Sequence, residues 1–259
     1  MKKLILFFVL FGLNNLNLSA QTSNLAPIAS KAIVVKPDTM SVTDKVNTKL
    51  KHFLVKKGDL PLEQGDLLNG KKEGLWKMYY ETGSPRSLME YHNGVVNGLV
   101  MTFDHSGFIM KEEHYVEGKL DGFAITYHNG GKIKSYASYS AGLLNGKKVL
   151  NYDDGTRQEE SNWSMGKKNG ITKWYYQGGK PLGEYNYAND INNGKCTLYD
   201  AKGNIVKAGQ FLNGKEEGEW LFYAEKYGSE PYKKLVYKDG NIVAESWLNQ
   251  TAEAEEKKK

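Results

Sequence analysis

The sequence predicts an all-β protein: an elongated single sheet of about seven β-hairpin repeats, capped at its N-terminal end by a degenerate hairpin. Three observations predict it. Glycine recurs every 24 residues, at Gly74, Gly98, Gly122, Gly146, Gly170, Gly194 and Gly218. Aromatics keep the same period in two columns, Tyr79, Phe103, Tyr127, Tyr175, Tyr199, Tyr223 and Tyr91, Tyr115, Tyr139, Trp163, Tyr187, Phe211. The composition fits short strands and tight turns, with 28 glycines and 17 tyrosines against 9 phenylalanines in 259 residues. Columns in register over seven copies mark a stacked array, in which each unit buries its apolar side chains only against its neighbours.

Taken in order, the elements begin with Lys2, Lys3, the apolar run 4–13 and the small-residue exit Ser19-Ala20. This reads as a signal peptide over residues 1–20, cleaved after Ala20, and hence as export to the periplasm, the outer envelope or the medium. An uncleaved anchor is the rival reading, but a membrane-spanning helix needs about 20 apolar residues. Residues 21–50 read as a flexible segment. Residues 51–68 fall near the repeat register, with Val55 and Leu67 each 24 before Tyr79 and Tyr91. They read as the capping hairpin. A short helix competes there, because Val46, Leu50, Phe53 and Leu54 follow Ser41 and Asp44 at helical spacing.

Residues 69–248 hold the seven units. In each, a first strand is expected to start after the second glycine ("LWKMYY"), with a turn at the third ("ETGSP"). A second strand ends on the aromatic ("SLMEY"), and a linking turn ("NGVVNG") leads on. Asn-Gly, the favoured hairpin dipeptide, stands at 69–70, 93–94, 97–98, 129–130, 145–146, 169–170, 193–194 and 213–214. The last unit carries extra residues in "AEKYGSEPYKK" and reads as a closing hairpin over 219–247. Residues 249–259 read as a disordered charged tail.

Chemistry-bearing patterns are scarce. Between 69 and 248 there are 23 Lys and Arg against 22 Asp and Glu, interspersed. That balance argues against a nucleic-acid surface and against strong attraction to anionic lipid. Cys196 is the single cysteine, and it shares a column with Trp76 and Trp220, which makes it a packing residue. His52, His92, His105, His114 and His128 show no metal-ligand spacing. Paired acids such as Glu159-Glu160 point to opposite faces of a strand and cannot work as an acid–base couple. No cofactor or metal is expected. A polar column, Glu90, His114, Ser138, Asn162, Asn186 and Gln210, reads as the wet face of the sheet or as a polar groove for an extended ligand. Apolar side chains outside the two aromatic columns, above all Trp76, Trp174, Trp220 and Phe222, are the candidates for docking a partner.

On "GLWKMYYETG" at 74–83 and "GEWLFY" at 218–223, with the Asn-Gly turns, the sequence resembles the bacterial variant of the MORN-repeat family. The resemblance spans about 69–240. It implies a hairpin array without a catalytic centre, and roles as protein-binding scaffold, oligomerisation platform or lipid-associated module. Some bacterial members of that kind are described as antitoxins. The tryptophan of the motif stands only at Trp76 and Trp220; the column otherwise holds Val100, Ala124, Lys148, Thr172 and Cys196. The function expected is an exported, non-catalytic scaffold with a protein partner. Self-association, a membrane or glycan surface, and inhibition of a toxin are the alternatives.

Overall fold

The computed structural model describes residues 37–257. The signal peptide read over 1–20, and residues 21–36 of the segment read as flexible, lie outside the described residues. What is described is one open antiparallel sheet. Strand β1 (Asp38–Thr43) precedes the hairpin β2 (Leu50–Lys57) and β3 (Leu60–Leu68). The repeats follow as β4 (Lys71–Tyr79), β5 (Pro85–His92), β6 (Val95–Phe103), β7 (Ile109–Val116), β8 (Lys119–Tyr127), β9 (Ile133–Ser140), β10 (Leu143–Asn151) and β11 (Arg157–Ser164). They continue as β12 (Lys167–Lys168), β13 (Gly170–Tyr175), β14 (Pro181–Ala188), β15 (Ile191–Tyr199), β16 (Ile205–Leu212) and β17 (Lys215–Phe222). A closing hairpin of β18 (Lys233–Lys238) and β19 (Asn241–Trp247) precedes helix α1 (Gln250–Glu256). Each strand pairs with its sequence neighbours; β12 and β13 both pair with β11 and are one strand interrupted at Asn169.

Local sequence explains the turns. The linking turns put two successive residues at positive φ, as at Asn93 (52°) and Gly94 (84°). That is the type I′ geometry whose twist matches a hairpin. Asn, Glu117, Ala141, Met165 or Asp239 takes the first position and glycine the second, except at Asn189-Asp190.

The strands differ from expectation in one respect. The first strand of a unit starts four residues early, at Lys71 in β4, and runs through the periodic glycine. Asn-Gly at 97–98, 145–146 and 193–194 therefore lies inside strands, not in turns, and 169–170 falls at the β12/β13 break. The ladder shows why. Met89 pairs with Val100 but Tyr91 pairs with Val96, so the first strand carries two extra residues in a bulge. The polar column fills it. Glu90 Oε2 accepts the Leu99 N–H at 2.9 Å, while Asn162 and Asn186 Nδ2 donate to the Ile171 and Lys195 carbonyls. Gly98 sits there at φ 118°, and a Cβ on it would lie 1.9 Å from Glu90 Oε2. Glycine is required because the neighbouring side chain occupies its Cβ position.

Two further columns tie each unit to the next. Glu73, Asp121 and Glu217 accept the first N–H of the following linking turn, from Asn93, Ala141 and Asp239, each at 2.9 Å. On the other side of the sheet's strands, the Tyr80, Tyr152 and Tyr176 hydroxyls donate to the Phe103, Tyr175 and Tyr199 carbonyls of the next unit.

At the ends, the hairpin and not the helix forms over 51–68, with Leu50–Lys57 paired to Leu60–Leu68. Two corrections belong here. Asp38–Thr43, inside the segment read as flexible, is a strand in six-residue register with β2. Gln250–Glu256, inside the tail read as disordered, is a helix whose N-cap Asn249 accepts the Ala252 N–H.

Candidate binding face

Pleating divides the side chains between two faces. Face A carries Trp76, Met89 and Tyr91; face B carries Lys77, Leu88 and Tyr79, as the ladder pairs Trp76–Met89 and Lys77–Leu88 require. The two aromatic columns thus stand back to back: the one headed by Tyr91 on face A, the one headed by Tyr79 on face B.

Face A holds the core. Its central row runs strand to strand through Trp76, Met89, Val100, Glu113, Ala124, Ala137, Lys148 and Ser161, then Thr172, Tyr185, Cys196, Gly209, Trp220 and Leu235. Trp76 is 2% exposed, Trp220 1% and Cys196 2%. The indoles fit because the row narrows beside them. A Cβ on Gly65 would lie 2.4 Å from Trp76, and one on Gly209 2.2 Å from Trp220. Tyr91 meets Trp76 edge-on at 6.2 Å, and Phe211 meets Trp220 at 5.2 Å. Lysines roof the rings: Lys72 Nζ lies 4.0 Å from the Trp76 centroid and Lys207 Nζ 4.2 Å from that of Trp220. Each is held by a carboxylate, Glu63 at 2.7 Å and Glu216 at 2.8 Å. Burial pushes the Cys196 thiol up to about 11, so it is no thiolate nucleophile. Burial likewise raises Tyr185.

This placement corrects two of the four docking candidates, Trp76 and Trp220. All four, Trp76, Trp174, Trp220 and Phe222, lie on face A; Trp76 and Trp220 are buried and Trp174 and Phe222 half-buried. An indole that fills a glycine notch in its own sheet has no surface left for a partner. Sequence reasoning missed Gly65 and Gly209, although a signal was present: each lies eleven positions before its tryptophan.

Face B is different. Its outer apolar side chains are open in both halves, Leu75 46%, Met110 51% and Val116 43% exposed in the first and Ile171 45%, Leu182 40% and Leu212 52% in the second, and Met40 and Val42 join them at the N-terminal end. The column Leu75, Leu99, Phe123 is apolar through the first units and then turns to Lys147, Ile171, Lys195 and Glu219. The adjacent row changes at the same place. From Lys77 it runs through Leu88, Met101, Glu112, Ile125, Tyr136 and Val149, then through Glu160, Lys173 and Glu184, which are ion-paired among themselves and with Lys147, and on to Thr197, Ala208 and Leu221. Within the apolar half, Tyr127 donates to Glu112 at 2.5 Å, and that bond, with burial, pushes its hydroxyl up to about 12.

The histidines have structural partners. His92 pairs with Glu73, His114 with the Asp121 carbonyl, and His128 with Asp153; His105 stacks on Tyr80 at 3.8 Å. Among the described residues no three His, Cys, Asp or Glu side chains gather as a metal site would require, and no helix is long and apolar enough to cross a membrane.

Comparison with known proteins agrees with the array. The family model described as the MORN repeat variant matches residues 72–93 and 168–189. These two windows cover β4–β5 and the equivalent strands four periods on. Among curated proteins nothing matches the chain. With the same hairpin repeated in register through the intervening and flanking strands, the chain carries an array of repeats of which two match the MORN repeat variant.

Proposed function

We propose that the protein is an exported, non-catalytic repeat scaffold that binds another protein through the N-terminal half of face B. The observation that carries the reading is the run of apolar side chains Leu88, Met101, Ile125, Tyr136 and Val149 along one row of face B, interrupted only by Glu112 and ended by the ion-paired Glu160, Lys173 and Glu184. Both halves share one backbone, so the fold itself has no need of the difference. Exposed apolar side chains cost solubility, and contiguous ones mark interaction surfaces. Export rests on Lys2, Lys3, the run 4–13 and Ser19-Ala20.

Two measurements test this. Cross-linked pull-down of the tagged chain from its own envelope fraction is expected to recover one partner in stoichiometric amount. L75E/F123E should lose it, and I171E, in the charged half, should keep it. Loss with both variants, or with neither, contradicts the assignment of the face. Mass spectrometry of the exported chain is expected to find Gln21 at its N-terminus.

A second reading is docking on an anionic membrane surface. It is favoured by the edge of linking turns, where the first strand residue alternates Lys71, Val95, Lys119, Leu143, Lys167, Ile191, Lys215, all exposed. Basic and apolar side chains in one line suit a lipid headgroup layer. Co-sedimentation with phosphatidylserine vesicles, abolished by replacing the four lysines with glutamate, would support it; no co-sedimentation at low salt removes it.

A further inference from the structure

An open sheet has two edges, and here they are built differently. β19 is blunted: its ladder with β18 is broken by a bulge between Val236 and Tyr237, which leaves Val243 unpaired, and Glu245 sits in its middle. The chain then turns into α1, whose Ala252 is 2% exposed and whose Glu255 binds Lys226 and Tyr227. The helix itself is held to the loop before β18 and leaves residues 241–246 of β19 exposed. A bulge and an inner charge are usual guards of an exposed edge.

β1 has neither. Its six residues, Asp38-Thr-Met-Ser-Val-Thr43, contain no Lys, Arg or Pro, follow β2 without a bulge, and are all exposed. Among the described residues, nothing bonds its outer row of N–H and C=O groups. Met40 (46% exposed) and Val42 (61%) continue the apolar half of face B to the very edge, opposite Leu54 and His52.

We propose that this edge pairs with the β1 of a second copy, extending the sheet across a two-fold axis normal to it. Such an axis makes the two β1 strands antiparallel while keeping face A and face B continuous. It also fixes the parity of the register, because opposed residues must lie on the same face. With Ser41 on the axis, Thr39 opposes Thr43 of the second copy and Met40 opposes its Val42. Like thus meets like: hydroxyl with hydroxyl on face A, apolar with apolar on face B. With Met40 on the axis, the Asp38 carboxylate would instead oppose Val42. One open and one guarded edge closes the assembly at two copies, whereas two open edges would propagate a fibre. Two six-residue strands make a small interface beside the roughly 1,200–2,000 Å² of stable complexes, so the dimer is expected to depend on concentration.

The proposal stands apart from the reading of a protein partner above and is tested on the purified full chain alone. Sedimentation velocity over a dilution series is expected to show monomer and dimer exchanging. Val42→Lys should shift that equilibrium towards monomer, and Val243→Lys on β19 should leave it unchanged. Ser41→Cys should form an intermolecular disulfide under mild oxidation, the native thiol at Cys196 being buried, and Ile242→Cys should not. Circular dichroism verifies that each variant is folded. A chain that stays monomeric throughout, a Ser41→Cys variant that does not cross-link, or dissociation by the β19 variant instead of the β1 variant overturns the proposal.

Discussion

At the scale of single residues, the architecture rests on glycines of two kinds. The periodic ones occupy bulges at positive φ; Gly65 and Gly209 occupy ordinary strand geometry and are small only because an indole lies where their Cβ would be. The second kind gives a clean prediction. Gly209→Ala should destabilise by about 1–3 kcal/mol through overpacking against Trp220. In a Trp220→Val background the same change should cost well under half of that, since the indole is gone. Urea unfolding of the four chains of the cycle measures the coupling; an undiminished cost in the valine background would place the clash elsewhere. The periodic glycines were plain in the sequence. The reason for them was not, because the side chain that demands glycine at 98 is Glu90, brought beside it only by the bulge.

At the scale of elements, the hairpins and their order could be read from the period, and the strand boundaries could not. Asn-Gly serves both turn and bulge, so "NGVVNG" looked like one long turn, whereas only its first Asn-Gly turns the chain. The faces were illegible for a related reason. Tyr79 and Tyr91 look equivalent as columns, but pleat parity puts them on opposite sides of the sheet, and it puts all four docking candidates on the core side. β1 escaped notice because a six-residue polar strand has neither turn signal nor aromatic.

That strand's attachment carries a pH dependence. His52 on β2 lies between Asp66 on β3, at 2.8 Å, and Asp44, just past β1, at 3.6 Å. The hydrogen bond to Asp66, then the charge of both carboxylates, raises its pKa above the ordinary value. A raised folded-state value means that the stabilisation is complete below the unfolded value of about 6.5 and disappears as pH rises through the folded one. Amide exchange in residues 38–47, corrected for its intrinsic rate, is therefore expected to speed up as pH climbs above about 6.5. In His52→Ala the corrected rate should be flat over that range. A wild-type chain whose corrected exchange also stays flat would show that His52 does not secure the edge.

At the scale of the whole molecule, the strand ladders among the described residues join neighbours in sequence, reinforced by a Tyr hydroxyl to the next unit's carbonyl, a carboxylate to the next turn's N–H and one row of side chains handed from strand to strand. Stability is then a sum of nearest-neighbour terms, and no unit is indispensable to the topology. The most direct test removes one unit in frame, residues 119–142. The cut joins Gly118 to Leu143 and sets Glu113 opposite Lys148 in the central row in place of Ala124. The shortened chain is expected to keep a β-sheet circular dichroism spectrum and unfold cooperatively at a modestly lower Tm. A chain that loses its sheet spectrum or cooperative unfolding on losing those residues would contradict the array and point to a closed domain with a single shared core.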